Sequence, residues 1–117
     1  MGGRIIVGRH PTVVRGRKPR GFPSSLKVFG HTIKILYCHK MPKNYMDCYG
    51  VCFFNEKRIY LSLDQPKDEL ERTLFHELCH MFLWLSGHRF KLNDEDEEAL
   101  VRALEHGVLP LYKRRRV

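Results

Sequence analysis

Apolar and polar residues alternate in three stretches of the first half of the chain. The first covers residues 26–37 and is interrupted at Gly30, which predicts two strands joined by a turn, or one bulged strand. The other two cover residues 48–54 and 58–63 and are separated by a short polar turn, which predicts a β-hairpin. We therefore expect a small antiparallel sheet of about three strands.

After this region the apolar residues recur at steps of three and four, the spacing of one face of an α-helix. This pattern predicts a long helix over about 66–86, with Asp64 as its N-cap and Gly87 at its C-terminal end. A loop at 88–93 is followed by a second helix that ends near residues 106–107 and has acidic residues in its first turn. A sheet followed by two helices is an α+β fold.

The length of the chain allows one domain, and its excess of basic residues lies at the two ends of the sequence. The chain has 117 residues, is 43% hydrophobic and carries a net charge of +8. Residues 1–25 hold six basic residues and no acid, residues 113–117 hold four more, and residues 26–112 hold eleven basic and thirteen acidic residues. We expect a basic, flexible N-terminal arm (1–25), a single domain (26–112) and a basic C-terminal tail (113–117). Within the arm, short apolar runs at 5–7 and 13–14 are candidate edge strands.

The basic ends also predict weak, salt-dependent contact with nucleic acid, although solvated ends of like charge are the simpler interpretation. No run approaches 18 apolar residues, and the N-terminus lacks the apolar stretch of a secretory signal, so we expect a cytoplasmic protein without membrane contact. Its four cysteines are then expected to be reduced. A second metal site is an alternative to ordinary strand packing for one group of residues: Cys38, His39, Cys48 and Cys52.

The strongest chemical signal is an H-E-x-x-H motif inside the long predicted helix. His76 and His80 are four residues apart, so their imidazoles lie on one helix face, where both can bind one Zn²⁺. Glu77 then lies beside the open coordination position, where it can act as general base toward a water molecule. The alternative is a pair of core histidines that are hydrogen-bonded to backbone or carboxylate groups.

A catalytic zinc site needs a third protein ligand. Antiparallel helices joined by a short loop bring the second helix alongside the first, so its acidic first turn supplies candidates. Periodicity does not choose between Glu97 and Glu98, and for each acid a solvated helix N-terminus is the alternative. The candidates for the third ligand are Glu95, Glu97, Glu98 and His88.

The stretch 73–80 resembles the active-site helix of small zinc metallopeptidases, most closely the ImmA/IrrE-type, minimal gluzincin-like proteins of bacteria, phages and mobile elements. Residues 97–104 look like the glutamate-bearing helix of that family. The resemblance covers about residues 31–110 and implies that Glu98 is the third ligand, with Glu97 as second choice. The chain departs from the family because it has no Asn-x-Phe-Ala stretch after the glutamate and no helix-turn-helix domain. A SprT-like protein is the competing relative and would use His88 instead.

The resemblance implies a zinc-dependent hydrolase of peptide bonds in which His76, His80 and Glu98 hold Zn²⁺ and Glu77 is the general base. Its partner would be a peptide or protein substrate, which we expect to lie along strand 58–63. A group that stabilises the tetrahedral oxyanion is also expected, and the sequence offers three candidates: His88, His106 and Tyr112. The alternative function is a module that binds nucleic acid or protein, with basic tails and a structural or vestigial zinc site.

Overall fold

The protein folds into a mixed β-sheet with helix α1 against one face and helix α2 packed against α1. The structure is a computed structural model and describes residues 10–111, apart from the side chains of Arg89 and Phe90. The elements in chain order are β1 (Val14–Arg15), β2 (Ser25–Val28), β3 (His31–Lys40), β4 (Gly50–Phe53), β5 (Arg58–Ser62), α1 (Lys67–Leu85), a 3-10 helix (His88–Lys91) and α2 (Asp94–Gly107). The predicted α+β class is confirmed.

The sheet differs from the prediction in the number and the direction of its strands. Its order is β1-β3-β5-β4, and β2 pairs with the same side of β3 as β1 does. Strands β3 and β5 are parallel, so the expected sheet of about three antiparallel strands is wrong. The reason is that the β4–β5 hairpin inserts β5 next to β3 and leaves β4 outside. The burial fits this order, since Ile59, Tyr60 and Leu61 of β5 are fully buried while every residue of β4 is only partly buried.

Both predicted turns are present. Phe29 and Gly30 both have positive φ, 51° and 80°, which matches a tight two-residue turn between β2 and β3. Of the two alternatives predicted for this stretch, two strands joined by a turn are therefore confirmed, and a single bulged strand is not. The hairpin between β4 and β5 is also confirmed, and Lys57 in its turn has a φ of 54°.

Helix α1 has about the expected length, but its N-cap residue is not the expected one. Its N-cap is Pro66, which makes no side-chain capping bond, so the prediction of Asp64 as N-cap is wrong. Asp64 lies two residues too early to reach the first turn, and its backbone N–H donates to the Ser62 hydroxyl instead. At the other end Gly87 follows the helix with a φ of 83°, the conformation that favours glycine there. Asn93 caps α2 by accepting a hydrogen bond from the backbone N–H of Asp96.

The main core lies between the sheet and α1 and includes a residue of the predicted arm. Phe22 is buried there, edge-on to Tyr37, whose hydroxyl donates to the carbonyl of Pro23. The candidate strand at 13–14 corresponds to β1, whereas the candidate at 5–7 and the tail 113–117 lie outside the described residues. The proposed domain boundaries stay predictions. Within residues 10–111, none of the helices has both the length and the apolar character needed to cross a membrane.

Candidate metal centre

Helices α1 and α2 are antiparallel neighbours and bring two histidines and a glutamate together. The Nε2 atoms of His76 and His80 are 3.3 Å apart, as expected for residues one turn apart on one helix face. From α2, Glu98 places Oε1 at 3.1 Å from Nε2 of His80 and Oε2 at 3.3 Å from Nε2 of His76. In the part of the chain that the structure describes, this is the one group of three or more metal-ligating side chains whose ligand atoms converge.

Each histidine is held from behind by a second carboxylate of α2. Oε1 of Glu105 is 2.9 Å from Nδ1 of His76, and Oε2 of Glu97 is 2.5 Å from Nδ1 of His80. An ionised carboxylate only accepts hydrogen bonds, so each Nδ1 carries the proton and donates it. A ring that has its proton on Nδ1 can offer the lone pair of Nε2, the atom that faces Glu98, to a metal ion. A carboxylate behind each histidine is the usual second layer of a zinc site.

The donor set fits Zn²⁺. Two imidazole nitrogens and one carboxylate are the ligands of many catalytic zinc sites, and bonds of about 2.0–2.1 Å at tetrahedral angles place neighbouring ligand atoms about 3.3 Å apart. The distances of 3.1–3.3 Å within the group match this spacing. A cation at the point where these atoms converge would be attracted by the carboxylate of Glu98 and by the nitrogen lone pairs of the two imidazoles.

Glu98 is held as an anion at the solvent side of this group. Its side chain is 38% exposed, and Nε of Arg102 donates to its Oε2 at 3.0 Å. Partial burial acts to raise the pKa of Glu98, but the hydrogen bond from Arg102 and the two nearby histidines outweigh it and lower the pKa below the usual value. The carboxylate therefore needs no pH above neutrality to be ionised and ready to bind a cation.

Glu77 lies between α1 and the edge strand β4. Burial raises the pKa of its carboxyl group; the nearby histidines oppose the shift and Glu98 adds to it. The described residues offer Glu77 no hydrogen-bond partner, although the carboxylates of Glu97, Glu98 and Glu105 all have one. A partly buried carboxylate beside two converging histidines is suited to exchange protons with a bound water molecule.

The edge strand approaches α1 closely at Gly50. A Cβ at this position would lie 2.5 Å from Cγ2 of Thr73 and 3.2 Å from Cγ of Glu77, so only glycine fits there without displacement. Gln65 holds the same end of the strand, because its Nε2 donates to the carbonyls of Tyr49 and Ser62 while its Oε1 accepts from the hydroxyl of Thr73. These contacts fix the start of β4 directly beside Glu77.

The structure separates the candidates for the third ligand. Glu98 lies in the group, Glu97 contacts the far side of His80, and Glu95 is exposed on the first turn of α2. His88 is also exposed and its Nδ1 shares a hydrogen bond with the hydroxyl of Ser86, away from the group. The assignment of His76, His80 and Glu98 as zinc ligands, with Glu77 as the base, stays a prediction.

The other predicted sites do not join this group. Of the candidates for the oxyanion stabiliser, His88 and His106 are exposed, and Tyr112 lies outside the described residues. The candidate second metal site has its cysteines in different surroundings, since Cys38 is buried and Cys48 is exposed before β4 begins. No metal-ligating group forms there among residues 10–111. Strand 58–63 cannot pair with a substrate either, because β5 has β3 on one side and β4 on the other.

Three residues around the centre were not predicted from the sequence: Glu105, Gly50 and Gln65. Glu105 lies seven residues, or two helical turns, after Glu98, and this spacing places both on one face of α2. It could have been found from that signal. Gly50 and Gln65 carry no comparable signal, because their contacts with α1 depend on how the edge strand meets the helix.

Comparisons with known proteins add no further information on this centre: no protein family, curated protein or solved structure matches the chain.

Proposed function

We propose that the protein is a zinc-dependent hydrolase of peptide bonds. The observation that carries the proposal is the convergence of two Nε2 atoms and the Glu98 carboxylate, each histidine backed by its own carboxylate, with Glu77 unpartnered beside them among the described residues. His76, His80 and Glu98 would hold Zn²⁺ and leave a fourth position open. The resemblance of the motif helix and the glutamate helix to ImmA/IrrE-type metallopeptidases supports the same conclusion.

Bound Zn²⁺ would lower the pKa of a water molecule and polarise the carbonyl group of a substrate. Glu77 would take a proton from the attacking water molecule as the oxygen of that water bonds to the carbonyl carbon. Glu77 would then give the proton to the leaving nitrogen as the C–N bond breaks. The raised pKa of Glu77 suits this exchange, because a carboxyl group that binds a proton more readily is a stronger base. Glu105 and Glu97 keep the two rings in the orientation and tautomer that the site needs.

The peptide would lie along β4, the last strand on that side of the sheet within the described residues. The bond from the Ser62 N–H to the Tyr49 carbonyl makes Tyr49 and Ser62 a hydrogen-bonded pair. In an antiparallel ladder the next residue, Gly50, then directs its N–H and C=O away from β5. An extended peptide can pair with these groups directly beside Glu77. The peptide that we propose thus pairs one strand further out than strand 58–63, which we expected from the sequence.

The test compares zinc content and hydrolysis in wild type and two variants. Glu77→Gln should keep one zinc per chain and lose at least about a hundredfold in hydrolysis of an unfolded protein such as reduced, alkylated casein. Glu95→Gln, a matched change at an exposed acid of α2, should keep both zinc and activity. Zinc-loaded wild type that leaves unfolded protein and peptide mixtures intact, or full activity of Glu77→Gln, would contradict the proposal.

A second candidate function, contact with nucleic acid, gains support from the distribution of charge between the two layers. Residues 10–58, which form all but the last strand, contain ten Lys and Arg and two acids, whereas residues 59–111 contain five Lys and Arg and eleven acids. A basic sheet layer is an electrostatic footprint for a polyanion. If it binds nucleic acid, fluorescence anisotropy with a labelled oligonucleotide should show an affinity that falls steeply between 50 and 200 mM salt. Absence of binding at the lower salt concentration would rule this function out.

A further inference from the structure

Exposed apolar side chains are concentrated in the segment that leads into the edge strand. Tyr45, Met46 and Tyr49 are 38%, 56% and 60% exposed, and they lie within five successive residues. The ring of Tyr45 also packs edge-on against Phe53 of β4, with 5.4 Å between ring centroids. We call Tyr45, Met46 and Tyr49 the apolar rim. Neighbouring exposed apolar residues on a soluble domain are typical of a binding surface.

Tyr45 and Tyr49 of the rim lie on the side of the sheet opposite α1. Gly50 faces α1, because a Cβ there would meet Thr73 and Glu77. Side chains alternate along a strand, so Tyr49 and Val51 point to the other face. Val51 packs there with Phe53 against Tyr60, in the smaller core on that face. A peptide paired with β4 would alternate in the same way and present every second side chain to the rim.

We propose that the rim and the outer edge of β4 together bind an extended peptide with a large apolar side chain next to the bond that is cut. This inference rests on the proposed function and names its substrate class: hydrophobic segments of unfolded polypeptide rather than polar surface loops. The kind of occupant follows from the continuity of the chain, since Tyr49 directly precedes Gly50, and a Cβ at Gly50 would lie 3.2 Å from Cγ of Glu77. A peptide residue whose carbonyl lies at Glu77 therefore has a neighbour whose side chain lies at the rim.

The test measures binding without turnover, in the full chain carrying Glu77→Gln and loaded with zinc. The probes are acetylated and amidated peptides Ala-Ala-X-Ala-Ala-Ala, where X is Phe, Leu, Ser or Asp, titrated by nuclear magnetic resonance. Burial of one large apolar side chain predicts that the Phe and Leu peptides bind about tenfold more tightly than the Ser and Asp peptides. Adding Tyr49→Ser should reduce this ratio below about threefold. Val14→Ser, at a half-exposed valine on the opposite edge of the sheet, is the control and should leave the ratio unchanged.

Equal binding of the four peptides, or an equal loss in Val14→Ser, would overturn the inference. Tyr49→Ser should keep the fold because its side chain is mostly exposed, and circular dichroism checks this; Met46→Ser provides a second variant with the same expected direction. Protection of the β4 amides by a concentration-dependent dimer would also overturn it, since a second copy would then cover the edge. Other results would contradict the proposed function without testing this preference, or the reverse. A protein that prefers the Phe peptide but binds no zinc would contradict the proposal that it is a zinc hydrolase. A protein that binds zinc and cuts peptides without this preference would contradict only the inference about the rim.

Discussion

Replacement of Glu105 by glutamine tests whether the carboxylates behind the histidines belong to a metal site. Glu105 accepts from Nδ1 of His76 at 2.9 Å, and its side chain is only 12% exposed, so solvent screens this contact weakly. Its other oxygen lies 3.7 Å from Nε of Arg72. Glutamine keeps an acceptor oxygen at nearly the same place but removes the negative charge of the group that orients the ring.

The expected effect is a loss of zinc affinity with the fold intact. Changes in such supporting groups cost about 10–100-fold in metal affinity, or about 1.4–2.7 kcal/mol. Glu105→Gln should fall near the lower limit because an acceptor remains, and Glu105→Ala near the upper limit because Nδ1 loses its acceptor. The assay is competition for zinc between the protein and a chromophoric chelator of known affinity.

Glu95→Gln is the matched control, because it removes the same charge from an exposed position on the same helix. It should change the zinc affinity by less than about twofold, since long-range effects of exposed charges are screened. Equal affinities for wild type and Glu105→Gln would contradict this prediction, and so would a similar loss in Glu95→Gln. Either result would mean that the contact between Glu105 and His76 has no influence on the metal.

Three further predictions concern the frame of the site. Gly50→Ala should cost about 1–3 kcal/mol in free energy of unfolding through its clash with Cγ2 of Thr73, and adding Thr73→Ser should recover part of it in chemical denaturation. Asn93→Ala should cost about 1 kcal/mol in the same assay because α2 loses its N-cap. Burial raises the pKa of the Cys38 thiol, so at pH 7 a thiol reagent should label exposed Cys48 long before Cys38, as followed by mass spectrometry.

Each of these has a clear contrary result. Wild-type stability of Gly50→Ala would mean that β4 does not approach α1 as closely as the structure has it. An unchanged midpoint for Asn93→Ala would show that the bond to Asp96 adds nothing to the start of α2. Native-state labelling of Cys38 at the rate of Cys48 would show that the second face of the sheet opens readily, since Cys38 is buried there.

The motif helix could be read from the sequence because its signal is local. An i, i+4 pair of histidines within a regular apolar spacing defines both the helix and the face that carries them. The choice between Glu97 and Glu98 is not local, because adjacent residues differ by only about 100° around the helix axis. The rotation of α2 against α1 decides it, with Glu97 turned toward the back of His80 and Glu98 toward both Nε2 atoms.

The order of the strands could not be predicted from the sequence pattern, because it also depends on contacts between distant parts of the chain. A hairpin fixes that β4 and β5 are neighbours, but not which of the two joins the rest of the sheet. A strand with apolar residues buried on both faces suits the interior of a sheet, and Ile59, Tyr60 and Leu61 of β5 are buried. From the sequence we predicted only that apolar and polar residues alternate in this strand. Only the structure therefore identified β4 as the edge strand that the proposed substrate would use.

Elemental analysis of zinc in purified wild type and alanine variants tests whether His76, His80 and Glu98 bind one zinc ion. We expect about one zinc per chain in wild type, its loss in His76→Ala and Glu98→Ala, and its retention in His88→Ala. Wild type that takes up no zinc even after reconstitution, or loss of zinc in His88→Ala with retention in Glu98→Ala, would contradict this assignment of the ligands.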